Sequence, residues 1–287
     1  MELRAPAKTN LILEVPRKRA DGFHELDTVF AALELADRLV LEPAAALELV
    51  VEDPSLAGPD NLVLRAAEAL RAAAGRPELG ARIELHKEIP AGGGLGGGSS
   101  DAAATLRGLN ALWELGLPHQ RLAELAAELG SDVAFFLRGG LQRGRGRGEL
   151  LEVLPPAPAL DLVLLFPPFG CPTGEVYRAL APHLPSQPRD AERLIEALPG
   201  GAEAVAGELF NRLALPAYEC FPQLAELEQD LSGRAGCLAV LLSGSGSTLV
   251  ALCRDTSAAR ALATELQREG RRAVATRTVS GSSAPRG

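Results

Sequence analysis

The sequence has few cysteines and no long apolar run, and both features exclude classes of protein. Its four cysteines are widely separated, with no CxxC pair and no histidine at metal-ligand spacing. This pattern argues against a zinc centre and against a disulfide-rich secreted fold. No stretch reaches the ~18 apolar residues of a membrane helix, and Met1–Val15 lacks the unbroken apolar segment of a signal peptide. We therefore expect a cytoplasmic protein with reduced thiols.

Lysine is also scarce, and negative charge predominates. Only three of the 29 basic residues are lysines, and 37 acidic residues give a net charge of −8. The field of an acidic chain repels polyanions, so neither nucleic acid nor an anionic membrane is an expected partner. An anionic ligand must therefore be held by local contacts.

Glycine, by contrast, is abundant and clustered. Six of the 30 glycines lie between Gly92 and Gly98. This segment follows an alternating pattern over 81–89 that predicts a strand, and it precedes an amphipathic pattern over 99–115 that predicts a helix. Glycines allow successive N–H groups to converge on an anion, and the helix start adds unpaired donors, with Ser99, Ser100 or Asp101 as its cap. The loop therefore predicts a phosphate site.

Other interpretations of the glycine loop fit the flanking sequence less well. A flexible linker would not lie between an alternating strand and an amphipathic helix. Gly92-x-Gly94-x-x-Gly97 matches the dinucleotide fingerprint, but no second strand ends in an acidic residue ~20 positions later. A Walker A motif needs a lysine where Ser99 stands. The pattern therefore favours a phosphate loop of a different type.

Two charged residues are candidates for chemistry at such a loop. Lys8 lies in an apolar segment that reads as a strand, with Asn10 on the same face. Asp132 follows a helix over 120–129 that ends at Gly130, and it lies at the start of the next helix, whose dipole favours the carboxylate. The residues alone leave two simpler roles open, a strand-edge lysine that reaches solvent and a helix-capping aspartate.

The chain divides near a proline-rich segment, Leu154–Pro158, which is typical of a short rigid linker. We predict two α+β domains, 1–154 and 155–287. The order of elements after the linker is β-α-β-β-α-β with additional helices in the first crossover, which predicts a ferredoxin-like domain. The last residues, Gly281–Gly287, are expected to be frayed.

Four segments together resemble the GHMP kinase superfamily. They are Ala7–Leu11, Pro90–Ala104, Gly130–Phe136 and Leu242–Ser247, and a fifth segment, Arg19–Leu26, indicates the subfamily. The Asp-Gly-Phe-His sequence within Arg19–Leu26 is most similar to the members that phosphorylate a cytidylylated methylerythritol in the non-mevalonate isoprenoid pathway. The resemblance implies an N-terminal ribosomal-protein-S5-domain-2-like α/β domain, a C-terminal ferredoxin-like domain and an active site in the cleft between them.

The resemblance also implies a role for individual residues. Asp132 would take the proton from the attacking hydroxyl, Lys8 would stabilise charge, and Asn10 would orient the substrate. His24 would read the cytosine edge, with Phe23 and Tyr177 stacking on the ring, although the family often carries tyrosine where Phe23 stands. ATP, with Mg²⁺ whose protein ligands are not identified, would be held by Pro90, Ala91, Gly92, Gly93, Gly94, Leu95, Gly96, Gly97, Gly98, Ser99 and Ser100.

Several alternatives remain at this point. Phe23 and Tyr177 are equally compatible with core packing, and Ser243–Ser247 with an ordinary hairpin turn. A homoserine or mevalonate kinase would share the ATP loop but would not need the segment Asp21–His24. The Arg-Gly tract over 143–148 resembles an RNA-contacting segment, but it lacks interleaved aromatic residues, so we interpret it as a solvated turn.

Overall fold

The protein is described here by a computed structural model that covers residues 1–279. The N-terminal part contains ten helices and strands within the described residues. They are β1 (Glu2–Lys18), β2 (His24–Pro43), β3 (Leu47–Val51), α1 (Leu62–Ala74), β4 (Ala81–His86), α2 (Gly97–Leu112), α3 (His119–Leu129), α4 (Val133–Arg138), β5 (Leu141–Gly146) and β6 (Leu150–Val153).

The C-terminal part continues from the proline-rich segment. Its elements are β7 (Asp161–Phe166), α5 (Thr173–Ala179), α6 (Glu192–Ala197), α7 (Gly201–Ala206), β8 (Phe210–Asn211), α8 (Ala214–Cys220), α9 (Gln223–Ser232), β9 (Cys237–Leu242), β10 (Leu249–Cys253), α10 (Thr256–Arg268) and β11 (Arg272–Arg277). No helix within residues 1–279 is long and apolar enough to cross a membrane. The predicted fraying at Gly281–Gly287 lies outside the described residues.

The first sheet is built on two long antiparallel strands, β1 and β2. Its order is β3-β4-β2-β1-β8, with β5 paired to β2 and β6 paired to β5. Helices α1 to α4 cover one face and share its apolar core. The other face packs on the second sheet, where Leu11 and Val29 meet Leu162 and Val250.

The simple alternation predicted for β1 is interrupted. Register shifts occur between Pro6 and Lys8 and again between Asn10 and Ile12. As a result Leu11 and Ile12 pack in the same cluster, whereas Leu13 lies in a different one. A bulge shifts the side-chain alternation by one residue, so the regular alternation that places Lys8 and Asn10 on one face does not continue to Ile12.

The second sheet confirms the predicted β-α-β-β-α-β order. Its strands run antiparallel in the order β11-β7-β10-β9, and α5 to α9 occupy the first crossover. Within that crossover, strand β8 belongs to the first sheet and pairs in parallel with β1, through Ile12 opposite Phe210 and Leu13 opposite Asn211. This strand therefore links the C-terminal part of the chain to the first sheet, which the sequence did not predict.

Two local predictions are wrong. Helix α2 begins at Gly97, not Ser99, and its N-cap is Gly96 with no capping side chain. The Arg-Gly tract is not a solvated turn, because it contains strand β5, which pairs with β2. Arg143 is buried, and its guanidinium donates two hydrogen bonds of 2.8 Å to Asp27.

Candidate active site

A cleft of about 520 Å³ brings together every residue predicted to act on the second substrate. Strands β1 and β2, the glycine loop, the start of α4, helix α5 and the Ser-Gly loop 243–247 all border it. The predicted residues that line it are Lys8, Asn10, Phe23, His24, Asp132 and Tyr177. Residues that are far apart in the sequence therefore form one site.

Lys8 lines the cleft, and its side chain is only 6% exposed. Its Nζ donates to Oδ1 of Asn10 at 2.9 Å and lies 3.5 Å from Oδ2 of Asp132. The amide of Asn10 in turn donates to Oγ1 of Thr28 at 2.7 Å. These contacts exclude a solvent-directed lysine at a strand edge.

Asp132 occupies the N-cap position of α4 but does not cap it. No hydrogen bond joins its carboxylate to the N–H groups of the helix, and the side chain remains 34% exposed. The carboxylate therefore faces the cleft and Lys8, where it is free to accept a proton from a bound hydroxyl. Capping, the simpler role that the sequence left open, is excluded.

The glycine loop separates this cleft from a second cavity of about 380 Å³. Gly94 and Gly96 line both spaces. Both have positive φ, +75° and +70°, which only glycine adopts readily. Every residue predicted to hold ATP, Ser100 excepted, lines the second cavity.

The end of α2 at this cavity suits an anion. Because α2 has no capping side chain in the described part of the chain, the N–H groups of its first turn are available to phosphate oxygens. Oγ of Ser100, Oδ1 of Asp101 and Oγ1 of Thr248 are buried without a hydrogen-bond partner. The two hydroxyl groups can donate to a phosphate, whereas the Asp101 oxygen, if ionised, can only accept a hydrogen bond.

The Ser-Gly loop 243–247 closes the glycine loop from the second domain. Oγ of Ser243 donates to the carbonyl of Gly94 at 3.0 Å, and Oγ1 of Thr9 donates to Oγ of Ser243 at 3.3 Å. Asn211, on β8, donates to the carbonyls of Leu242 and Gly244 at 2.8 and 2.7 Å. The loop is therefore part of the site rather than an ordinary hairpin turn, and Asn211 was not foreseen.

Aromatic side chains lie at the opposite end of the cleft. Phe23 is 53% exposed, so it is not a core residue, and the guanidinium of Arg147 lies 4.8 Å from its ring centroid. The rings of His24 and Tyr177 lie 5.0 Å apart at 40°. Burial, followed by the charge of Lys18, lowers the pKa of His24, so its ring is neutral at pH 7. Burial, with a smaller effect of Asp132, raises the pKa of Tyr177 to about 12.

The side chains around the cleft indicate whether the protein itself could hold a metal ion. Residues 1–279 contain no group of three or more His, Cys, Asp and Glu side chains able to hold a metal ion. Mg²⁺ commonly binds through substrate phosphates, water and only one or two carboxylates. A Mg²⁺ ion bound in that way would not need a group of three protein ligands.

Comparison with known proteins agrees with this geometry. Residues 61–140 match the family described as "GHMP kinases N terminal domain", and residues 186–272 match "GHMP kinases C terminal". A 4-diphosphocytidyl-2-C-methyl-D-erythritol kinase of Pelotomaculum thermopropionicum is 47% identical over 278 residues, which are 96% of each chain. The chain belongs to this family of GHMP kinases.

Other relatives of this kinase support the same assignment. The enzyme of that name from Moorella thermoacetica is 40% identical over 97% of this chain and 99% of its own. A crystal structure of a 4-(cytidine 5'-diphospho)-2C-methyl-D-erythritol kinase superposes with a TM-score of 0.86 at 43% identity, covering 98% and 100% of the two chains. The mevalonate kinase of L. major, at 17% identity and a TM-score of 0.72, shares the fold alone.

Proposed function

We propose that the protein transfers the γ-phosphoryl group of ATP to the 2-hydroxyl of 4-diphosphocytidyl-2-C-methyl-D-erythritol, a step of the non-mevalonate pathway to isoprenoid precursors. The observation that carries the proposal is the position of Asp132 and Lys8. They lie in a cleft with a glycine phosphate loop at one side and an exposed aromatic group at the other.

The residues present can supply what phosphoryl transfer requires. The substrate hydroxyl oxygen forms a bond to the γ-phosphorus, the bond from that phosphorus to the β–γ bridging oxygen breaks, and Asp132 accepts the hydroxyl proton. Lys8, 3.5 Å from that carboxylate, provides positive charge where negative charge develops. Asn10 is held by Lys8 and Thr28 and orients the acceptor. The fixed arrangement, more than any covalent chemistry, lowers the barrier.

We propose the remaining assignments from the same geometry together with the resemblance of the sequence to the family. ATP binds along residues 90–100, with Mg²⁺ carried on its phosphates. Phe23 and Tyr177 stack on the cytosine, and neutral His24 hydrogen-bonds to the cytosine edge. We place the domain boundary near residue 155 and the enzyme in the cytoplasm. Nucleic acid is not a proposed partner, since carboxylates occupy the Arg143 guanidinium in the Arg-Gly tract.

A direct test is ADP release with a panel of three acceptors under identical conditions. We expect turnover with 4-diphosphocytidyl-2-C-methyl-D-erythritol and none above background with homoserine or mevalonate. The non-nucleotide acceptors lack a group that could occupy the aromatic end of the cleft. Turnover of either rival without turnover of the cytidylylated acceptor would overturn the proposed substrate.

His24→Ala is expected to raise KM for the cytidylylated acceptor by about tenfold or more while leaving KM for ATP unchanged. The change removes a hydrogen bond to the base and the ring that contacts Tyr177, a loss of about 1–3 kcal/mol. Steady-state kinetics with each substrate varied in turn measures both constants. His119→Ala, at the exposed start of α3, is the matched control. An unchanged acceptor KM in His24→Ala would place the cytosine elsewhere.

A further inference from the structure

Lys87 is a second lysine with a largely buried side chain, 19% exposed, beside the cavity proposed for ATP, and the sequence-based predictions gave it no role. It follows β4, and its ammonium donates hydrogen bonds to Asp37 on β2 and to Asp101 on α2, the latter at 2.7 Å. The carboxyl group of Asp37 is fully buried and that of Asp101 is 3% exposed. We call Asp37, Lys87 and Asp101 the lysine clamp.

The lysine clamp holds the two ends of the glycine loop. Oδ1 of Asp37 accepts the N–H groups of Glu88 at 2.6 Å and Ile89 at 2.8 Å, where the chain enters the loop. Asp101 lies in the helix that leaves the loop. One ammonium group therefore joins the entry to the exit, through contacts that span 50 residues on one side and 14 on the other.

The ammonium also lies directly against the first turn of α2. A Cβ added at Gly97 would come within 3.2 Å of Nζ of Lys87. Lys87, Gly97 and Asp101 all line the cavity assigned to ATP. The clamp therefore lies beside the N–H groups that would meet the phosphates.

The charges of the lysine clamp are consistent with a role in fixing the position of the glycine loop. Burial, reinforced by Asp37, raises the pKa of Asp101 to about 7 against the opposing effect of Lys87. Burial alone would lower the pKa of Lys87, but Asp101 and Asp37 raise it, so the ammonium stays charged. A buried ion cluster contributes little net stability because desolvation offsets the attraction, whereas its hydrogen bonds fix direction.

We propose that Lys87 is a positioning residue for ATP, acting through Asp37 and Asp101 to hold the glycine loop so that the first N–H groups of α2 point at the phosphates. The inference rests on the proposed function only in taking the loop cavity as the ATP site. On the side of the glycine loop that faces the phosphoryl-acceptor cleft, other hydrogen bonds hold the backbone. The Lys8 N–H donates to the Leu95 carbonyl at 2.9 Å, and Ser243 donates to the Gly94 carbonyl.

The test compares Lys87→Met with Lys87→Arg. We expect Lys87→Met to raise KM for ATP by about 10- to 100-fold, with acceptor KM and with kcat at saturating ATP within about threefold of wild type. Lys87→Arg, which can still bridge two carboxylates, should recover part of the loss. A merely structural role would lower the active fraction without separating the two KM values.

Calorimetric titration with ATP in the absence of acceptor gives an independent readout. Weaker ATP binding by Lys87→Met would support the proposal even if the acceptor were misidentified, so the two proposals fail separately. Arg71→Met is the matched control, since Arg71 is also a largely buried cation bonded to a backbone carbonyl, that of Leu79, but lies on α1 outside both cavities.

Loss of the ammonium leaves two buried carboxylates, so Lys87→Met could unfold, which circular dichroism would reveal. In that case Asp101→Asn decides, because it keeps the side-chain shape and a hydrogen-bond acceptor while weakening the hold on Lys87. We expect the same direction of change in ATP affinity, with a smaller size. Wild-type ATP affinity in whichever of these variants folds, or a parallel rise in both KM values, would overturn the proposal.

Discussion

Asp132→Asn is expected to lower kcat by about 10²- to 10⁴-fold while ATP affinity stays at the wild-type value. The amide has nearly the shape of the carboxylate but cannot accept the proton of the attacking hydroxyl. The ion pair with Lys8, whose Nζ lies 3.5 Å away, is also lost, so the negative charge beside the Lys8 ammonium is removed from the site of phosphoryl transfer. Single-turnover kinetics for the chemical step, with calorimetry for ATP, separates the two effects.

A second N-cap aspartate provides the control for this substitution. Asp255 begins α10, where its Oδ1 accepts the N–H of Ala258 at 2.8 Å, and asparagine caps a helix equally well. Asp255→Asn should therefore leave kcat unchanged. If Asp132→Asn also turned over at the wild-type rate, Asp132 would not be the base.

The sequence was sufficient for the local elements and for the residues that belong to contiguous motifs. Strand β4 extends over Ala81–His86, within the alternating pattern over 81–89 that predicted it. Helix α3 extends over His119–Leu129, close to the predicted helix over 120–129. The site residues His24 and Asp132 were located because each lies in a short, recognisable segment whose neighbours in the sequence are also its neighbours in space.

What could not be predicted depends on contacts between distant segments. Arg143 looked solvated because its partner Asp27 is 116 residues away. Asn211 and Lys87 act on loops that come close only when β8 joins the first sheet and when Asp37 faces α2. The sequence does not distinguish Asp37 from the other charged residues of β2, because only the folded chain shows that its carboxylate is buried against Lys87.

The failed prediction about the start of α2 has a physical cause. Ser99, Ser100 and Asp101 are good capping residues, and capping preference places the helix start beside them. The helix instead begins at Gly97, with Gly96 at φ +70° as its N-cap. Its first N–H groups are left without side-chain caps where they border the loop cavity, so local capping preference does not decide the helix start.

Gly94→Ala is expected to have the second large effect, raising KM for ATP by about tenfold or more and lowering kcat. A Cβ at this position would lie 2.1 Å from the carbonyl oxygen of Ser243 and 3.1 Å from that of Gly246. Both obstacles are backbone atoms, so the Ser-Gly loop 243–247 and the glycine loop must separate. The hydrogen bond from Ser243 to the Gly94 carbonyl would be lost with them.

Alanine variants at two other glycines measure the cost of backbone strain without this clash. Gly92 and Gly75 have φ of +72° and +63°, and a Cβ on either would meet no heavy atom within 4 Å. Alanine at each should therefore clash with no protein atom and impose the left-handed penalty of about 1–2 kcal/mol. Gly75→Ala, at the end of α1, measures that penalty by its shift in Tm and should leave the kinetics unchanged.

Comparing Gly94→Ala with Gly92→Ala then isolates the contact between the two loops. Both residues belong to the loop and both have positive φ, so a loss that depended on strain alone would be equal in the two variants. We expect the loss at Gly94 to be larger, because only that position touches the Ser-Gly loop. Equal kinetic losses would mean that closure by the second domain does not hold the phosphate loop, and that the N-terminal elements suffice to shape it.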